Sequence, residues 1–155
     1  MAHWIFRTIA VAGIFSTLLP GCMAQTSEEP TAQTSDELKV CGDAAKLTLA
    51  NVKVVGRVTA GATVQVTADE TNISNTFVNY PGMLLTSGTS AATVPLTGPE
   101  LYGIEPHTTM PLSASFTVGK NVARGTRICI YVTATSDVNA TCRGNQVIKL
   151  ELVVQ

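Results

Sequence analysis

The feature that most restricts this chain is a series of short runs in which apolar and polar residues alternate one by one. Leu47-Thr48-Leu49-Ala50-Asn51-Val52-Lys53-Val54, Val64-Gln65-Val66-Thr67-Ala68 and Leu112-Ser113-Ala114-Ser115-Phe116-Thr117-Val118 all follow this pattern. Successive side chains of a strand point to opposite faces, so a period of two gives one buried and one solvated face. Gly56 to Gly61 separates the first two runs. Further strands are expected over 77–86, 93–96, 127–135 and 146–154, and Pro81-Gly82 inside the first of these marks an edge position or a bulge. Thr and Val dominate the region, and β-branched side chains suit a pleated, half-buried surface. No stretch carries a convincing helical stripe.

About seven strands at roughly ten- to twenty-residue spacing predict an all-β fold, a single antiparallel two-sheet sandwich over 46–155. A chain of 155 residues has room for one ordinary domain. With a net charge of −1 and 14% charged residues there is no clustered basic face for a nucleic acid.

The N-terminus reads as an address. Arg7 and the amino terminus precede an apolar run from Ile9 through Leu19. At about eleven residues the run is shorter than the roughly twenty that span a bilayer. It has the length of the apolar core of a secretory signal. From Met23 to about Asp43 the chain is polar, and Ala24-Gln25-Thr26-Ser27-Glu28-Glu29 recurs as Ala32-Gln33-Thr34-Ser35-Asp36-Glu37. Too little apolar surface is present there to offset the entropy of ordering, so a flexible spacer is expected.

Leu19-Pro20-Gly21-Cys22 resembles the lipobox of bacterial lipoproteins. The resemblance implies a signal peptide over 1–21 and a mature chain that begins at an acylated Cys22. A linker over 22–45 would then join this anchor to the domain. It also implies anchoring to a membrane of the cell envelope, with the outer membrane favoured because Met23 stands where retained family members carry Asp. A competing exit is cleavage after Ala24, which would release a periplasmic or secreted chain.

Within the domain, Ile104-Glu105-Pro106-His107-Thr108-Thr109, the run from Leu112 to Val118 and Asn121-Val122-Ala123-Arg124-Gly125-Thr126 resemble bacterial Ig-like domains. There a Pro-containing turn precedes an alternating strand and a Gly-Thr turn precedes the next. The run from Val64 to Asn72, followed by Asn75, fits the same pattern. The chain departs from antibody-type domains: it has no Trp after the signal segment, and Cys129-Ile130-Tyr131 reverses the Tyr-x-Cys order of the tyrosine corner. The resemblance implies fold and little function.

With Cys22 set aside, Cys41, Cys129 and Cys142 remain, an odd number. If seven strands alternate in direction, the first starts at the end where the sixth and seventh are joined. Cys41 precedes the first strand and Cys142 lies in that joining loop, so a Cys41–Cys142 disulfide is expected. Cys129 falls within a strand and reads as a small buried apolar residue; a Cys41–Cys129 bond remains open.

Candidate chemistry is sparse. His107 lies between Pro106 and Pro111, and although Ser113 and Ser115 are near in sequence, nothing resembles a nucleophile elbow. No Cys or His cluster has zinc spacing, so no metal or other cofactor is implied. Asp69, Glu70, Asn72, Asn75 and Asn79 form an oxygen-rich stretch that could suit Ca²⁺. Asn and Asp are also what turns require, and no EF-hand spacing is present. Tyr80 and Tyr102, beside Gly-containing turns, are the candidate ligand-contacting rings. The expectation is a non-enzymatic, lipid-anchored envelope domain that contacts another envelope protein or a surface ligand. A small-ligand or carbohydrate-binding module is the alternative.

Overall fold

The computed structural model describes residues 39–88, 90–94, 103–137 and 141–155. In chain order the elements are β1 (Lys39–Val40), a single 3-10 turn (Ala44–Lys46), β2 (Leu47–Val55), β3 (Thr63–Asn72) and β4 (Gly82–Ser87). They continue with β5 (Ala92–Thr93), β6 (Thr109–Val118), β7 (Arg127–Thr135), β8 (Cys142–Arg143) and β9 (Val147–Val153). One sheet has the order β2-β3-β6-β5 and a second the order β4-β7-β9, while β1 and β8 form a separate parallel pair. With β1 and β8 set aside, this is the strand order of a constant-type immunoglobulin sandwich.

The alternating residues meet between the sheets. Val64, Val66, Phe116 and Val118 from one sheet pack with Met83, Leu85, Ile128, Ile130 and Val132 from the other. The expected strand over 127–135 is β7 to the residue. It is flanked by β4 and β9, which makes it the central strand of its sheet.

Four differences from the sequence reading have physical causes. The strand expected over 77–86 begins only at Gly82, and the preceding segment is loop that touches strand geometry at one bridge, Val78 to Ile104. Pro81 lacks the N–H a ladder needs, and β4 occupies a sheet edge, as the Pro-Gly pair indicated. The strand expected over 93–96 is reduced to Ala92–Thr93, and residues 95 and 96 lie outside the described residues.

In β2 the strict alternation is interrupted. The pairing with β3 shifts between Ala50 and Lys53, and Asn51 adopts φ 52°. This bulge inserts one residue, so that Leu47 and Leu49 on one side of it and Val52 and Val54 on the other all turn toward the core. Finally, ordered structure starts before the sandwich proper. Lys39–Val40 pairs with Cys142–Arg143, so the flexible spacer expected as far as Asp43 is already structured from Lys39.

Candidate functional site at the tethered end

One end of the sandwich gathers three loops and the point where the chain enters. The β3–β4 loop, the described part of the β5–β6 connection, the β7–β9 connection and residues 39–46 all lie there, because β2, β4, β6 and β9 start at this end and β3 and β7 finish at it. Asn72, the last residue of β3, organises it. The side chain is fully buried, and Nδ2 donates to the Thr76 carbonyl at 2.8 Å and the Ile104 carbonyl at 3.1 Å. Its Oδ1 accepts from the Ser74 N–H at 3.0 Å and the Ser74 hydroxyl at 2.8 Å. Both donors and both lone pairs of the amide are thereby used. The backbone adds Asn72 N–H to Thr108 O and His107 N–H to Asn72 O, and Val78 and Ile104 exchange two bonds. A buried polar group so completely satisfied fixes two loops against each other.

On this stitched frame stand exposed apolar side chains. Ile73 is 55% exposed, Phe77 45% and Tyr80 43%. Phe77 packs against Gly103, where an added Cβ would come within 1.9 Å of the ring. Tyr80 and His107 both take left-handed backbone conformations, with φ 51° and 56°. For a bulky residue such as Tyr that conformation is costly and persists only where the surroundings impose it. Tyr80 also forms one wall of an open hollow of about 420 Å³, completed by Gly42, Asp43, Ser136, Asp137 and the Cys41–Cys142 pair.

The Cys41–Cys142 disulfide is present, with the two Cα atoms 5.5 Å apart. It ties the entry of the chain to the last hairpin, and the Cys41 N–H donates to the Arg143 carbonyl at 2.9 Å beside it. Cys129 is fully buried in β7 but is disulfide-bonded rather than the lone apolar residue the sequence suggested, and with Cys41 bonded to Cys142 the alternative Cys41–Cys129 pairing does not form. An odd thiol left free, the consequence of the odd count, is not what the structure has: no cysteine among the described residues is free.

Beneath the loops lies Glu70. It is 0% exposed and occupies a core-facing position of β3, in series with Val64, Val66 and Ala68. Neither carboxyl oxygen makes a hydrogen bond of ordinary geometry. Burial raises its pKa from 4.5 to about 8, and the Gly82 backbone offsets a smaller part in the other direction.

The other sequence candidates fall as follows. The oxygen-rich stretch is not a loop of converging ligands: β3 continues through it, so Asp69 faces outward while Glu70 and Asn72 turn inward. Asp69 accepts from Asn51 Nδ2 at 2.7 Å, and Asn75 Oδ1 lies 2.7 Å from His107 Nε2. No grouping of three metal-ligating side chains occurs among the described residues. His107 is an exposed turn residue, and Ser113 and Ser115 stand on the outward face of β6 opposite Thr67 and Gln65. Tyr102 and Cys22 lie outside the described residues.

Sequence reasoning missed the roles of Glu70 and Asn72. The available signal was that the inward parity of Val64, Val66 and Ala68 continues through both positions.

No protein-family model matches the chain, and no curated protein is similar to it. Among solved structures it is similar to a FixG-related protein from Vibrio parahaemolyticus, with TM-score 0.43, 11% identity, and coverage of 70% of this chain and 94% of that one. It is also similar to a structure described as "AvmM Catalyzes Macrocyclization in Alchivemycin A Biosynthesis", with TM-score 0.45, 9% identity, and coverage of 81% and 96%. Likeness this distant carries no functional argument.

Proposed function

We propose that the protein is a lipid-anchored, non-enzymatic component of the bacterial cell envelope whose Ig-like domain serves protein interaction, adhesion or scaffolding. Cys22 is the acylated residue in this reading and the polar stretch after it is the tether. The observation that carries the reading is how the tether meets the domain. The chain enters through β1 and is fastened by Cys41–Cys142 to the last hairpin, so the anchor acts on a rigid end rather than on a fraying strand.

Intact mass of the protein purified from a bacterial membrane, compared with Cys22→Ser, tests the anchor. A lipid-sized increment that disappears in the variant is the expected result. A chain beginning at Gln25 would make it a freely periplasmic or secreted protein. So would a Cys22 that carries no lipid and gains a hydrogen on reduction, because its sulfur would then be engaged in a disulfide.

A second reading draws on Tyr80. An exposed aromatic ring beside an open polar hollow suits a small ligand or a sugar, whose apolar face stacks on such rings. Glycan-array binding lost in Tyr80→Ala would favour it over the interaction module.

A further inference from the structure

We infer that β9 is an interface for a second copy of this chain: two β9 strands pair antiparallel about a twofold axis at Leu150 and join two β4-β7-β9 sheets into one. The interface goes beyond the reading above and does not depend on how the chain is anchored.

The core is open along β9. Of the strands that border this sheet, β4 buries its core-facing Met83 and Leu85 to 4% and 3% exposure, whereas Ile148, Leu150 and Leu152 of β9 are only partly buried. Beside β9 runs β2, the edge of the other sheet. The Leu49 N–H donates to Gln146 Oε1 at 2.8 Å at one end, and the Gln155 N–H donates to the Val58 carbonyl at 2.8 Å at the other. Val52 and Val54 of β2 are half-buried too, so an apolar seam follows this side of the sandwich.

The outer edge of β9 carries free backbone groups. The Val154 carbonyl accepts from the Gly125 N–H at 2.7 Å, and the Val154 N–H donates to the Thr126 carbonyl at 2.9 Å, both toward the start of β7. Backbone groups alternate sides along a strand, so Ile148, Leu150 and Leu152 bond β7 while Val147, Lys149, Glu151 and Val153 direct theirs away from it. Consistently, Cys129, which stands opposite Glu151, gives its carbonyl to the Gly88 N–H on the other side of β7. Among the described residues no strand pairs with this outer edge. Such a row of N–H and C=O groups is a template for another strand.

The sequence of the strand names the partner. Val147-Ile148-Lys149-Leu150-Glu151-Leu152-Val153 is apolar for apolar in both directions, with opposite charges at mirror positions about Leu150. Antiparallel pairing about Leu150 sets Lys149 against Glu151 of the second copy, and Glu151 against its Lys149. Ile148 then meets Leu152, Val147 meets Val153, and Leu150 meets itself. The Lys149–Glu151 and Val147–Val153 pairs are those whose free backbone groups face each other, so hydrogen-bonded and charge-matched positions coincide. Leu150 falls at a pair without backbone bonds, where side chains approach most closely, and closes the seam between the copies. A slide of two residues either way sets Glu151 against Glu151 or Lys149 against Lys149, and like charges directly opposite are destabilising. Within one copy Arg127 Nη1 donates to Glu151 and Lys149 Nζ lies 4.0 Å from it; all three side chains are exposed and can re-pair. A lone Lys on an edge deters pairing; here Lys149 and Glu151 together select one register.

The full chain, expressed in a bacterial host, is examined by sedimentation equilibrium in a density-matched detergent. This gives the protein mass with or without an attached lipid, so failure of the interface and failure of the anchor are read separately. The parent protein is expected at about twice the monomer mass at concentrations on the order of 100 μM, as suits a small edge interface. Lys149→Glu and, separately, Glu151→Lys each set like charges against each other twice and should weaken association about tenfold or more. An equimolar mixture of the two variants should recover it, because every facing charge is then opposite in sign. The double exchange, Lys149→Glu with Glu151→Lys, should associate like the parent and keeps the test decisive if either single variant folds poorly by far-UV circular dichroism. A monomeric parent overturns the proposal. So does association unchanged in both single variants, or a double exchange and a mixture of folded variants that both stay as weak as the single variants.

Discussion

At the scale of single residues, Glu70 and Asn72 solve opposite problems on the inner face of β3. Asn72 has every polar atom bonded, whereas neither Glu70 oxygen has a hydrogen bond of ordinary geometry and burial favours its neutral acid. With a folded pKa near 8 against 4.5, the native state keeps a proton that the unfolded chain has released between those values. Stability is therefore fully present below about pH 4.5, falls as pH rises through this window, and levels off above about pH 8. The total loss is on the order of 3–5 kcal/mol. Glu70→Met, which fills the same space without a charge, should flatten this slope and raise the urea midpoint most at pH 8 and above. Urea titrations at pH 5, 7 and 9 check it, and parallel slopes for the two proteins would remove Glu70 as the cause. Asn72→Ala should cost about 2–3 kcal/mol, because the Ser74, Thr76 and Ile104 groups lose their partner in a site water cannot fully re-enter. Thermal unfolding measures that loss. Hydrogen exchange at Val78 and Ile104 should accelerate well beyond the rate at β7.

At the scale of elements, the β2 bulge shows what alternation can and cannot reveal. Leu47, Leu49, Val52 and Val54 all contribute to the core, yet they do not share one parity, and a flat strand would expose one pair or the other. The bulge at Asn51 reconciles them, with a left-handed residue that Asn tolerates better than other non-glycine types and a side chain braced on Asp69. Asn51→Gly should be close to neutral, and Asn51→Val should lower stability by about 1–2 kcal/mol, read as a shift of the urea midpoint. Strand existence was legible because burial of one face imposes a period of two. The length of β3 was not, because Asp69, Glu70 and Asn72 carry the composition of a turn while the backbone continues as a strand. Composition reports what a residue prefers in water; the register with β6, unbroken from Thr63 to Thr71, reports what its neighbours impose. The candidate site was legible only through Tyr80 and the cysteine pair. The apolar end became visible once four separate segments were brought together.

At the scale of the whole molecule, the disulfide governs how the domain is attached. The bonded cysteines are separated by 101 residues, a loop whose closure is worth nominally about 4–5 kcal/mol through the unfolded chain. Strand parity pointed to this pairing by putting Cys41 and Cys142 at one end, with Cys41–Cys129 left open until the structure excluded it. Cys41→Ala with Cys142→Ala, which leaves the Cys129 bond in place, should lower the unfolding temperature and expose Lys39 and Lys46 to trypsin while the sandwich remains folded. Limited proteolysis of the double variant beside the parent protein checks it; unchanged cleavage would mean that the β1–β8 pairing holds the entry segment unaided.

The same bond decides what happens when the protein is pulled. Load applied at Cys41 passes into Cys142 and leaves along β9, so the strands between the two cysteines are out of that path. Peeling β2 from β3, the step by which an N-terminally loaded sandwich would ordinarily begin to unravel, is bypassed. On that path, the part of the domain that can lengthen is the short stretch after Cys142. An oxidised domain on a moving or shear-stressed surface thus yields a small, bounded extension, and its reduced counterpart a long one.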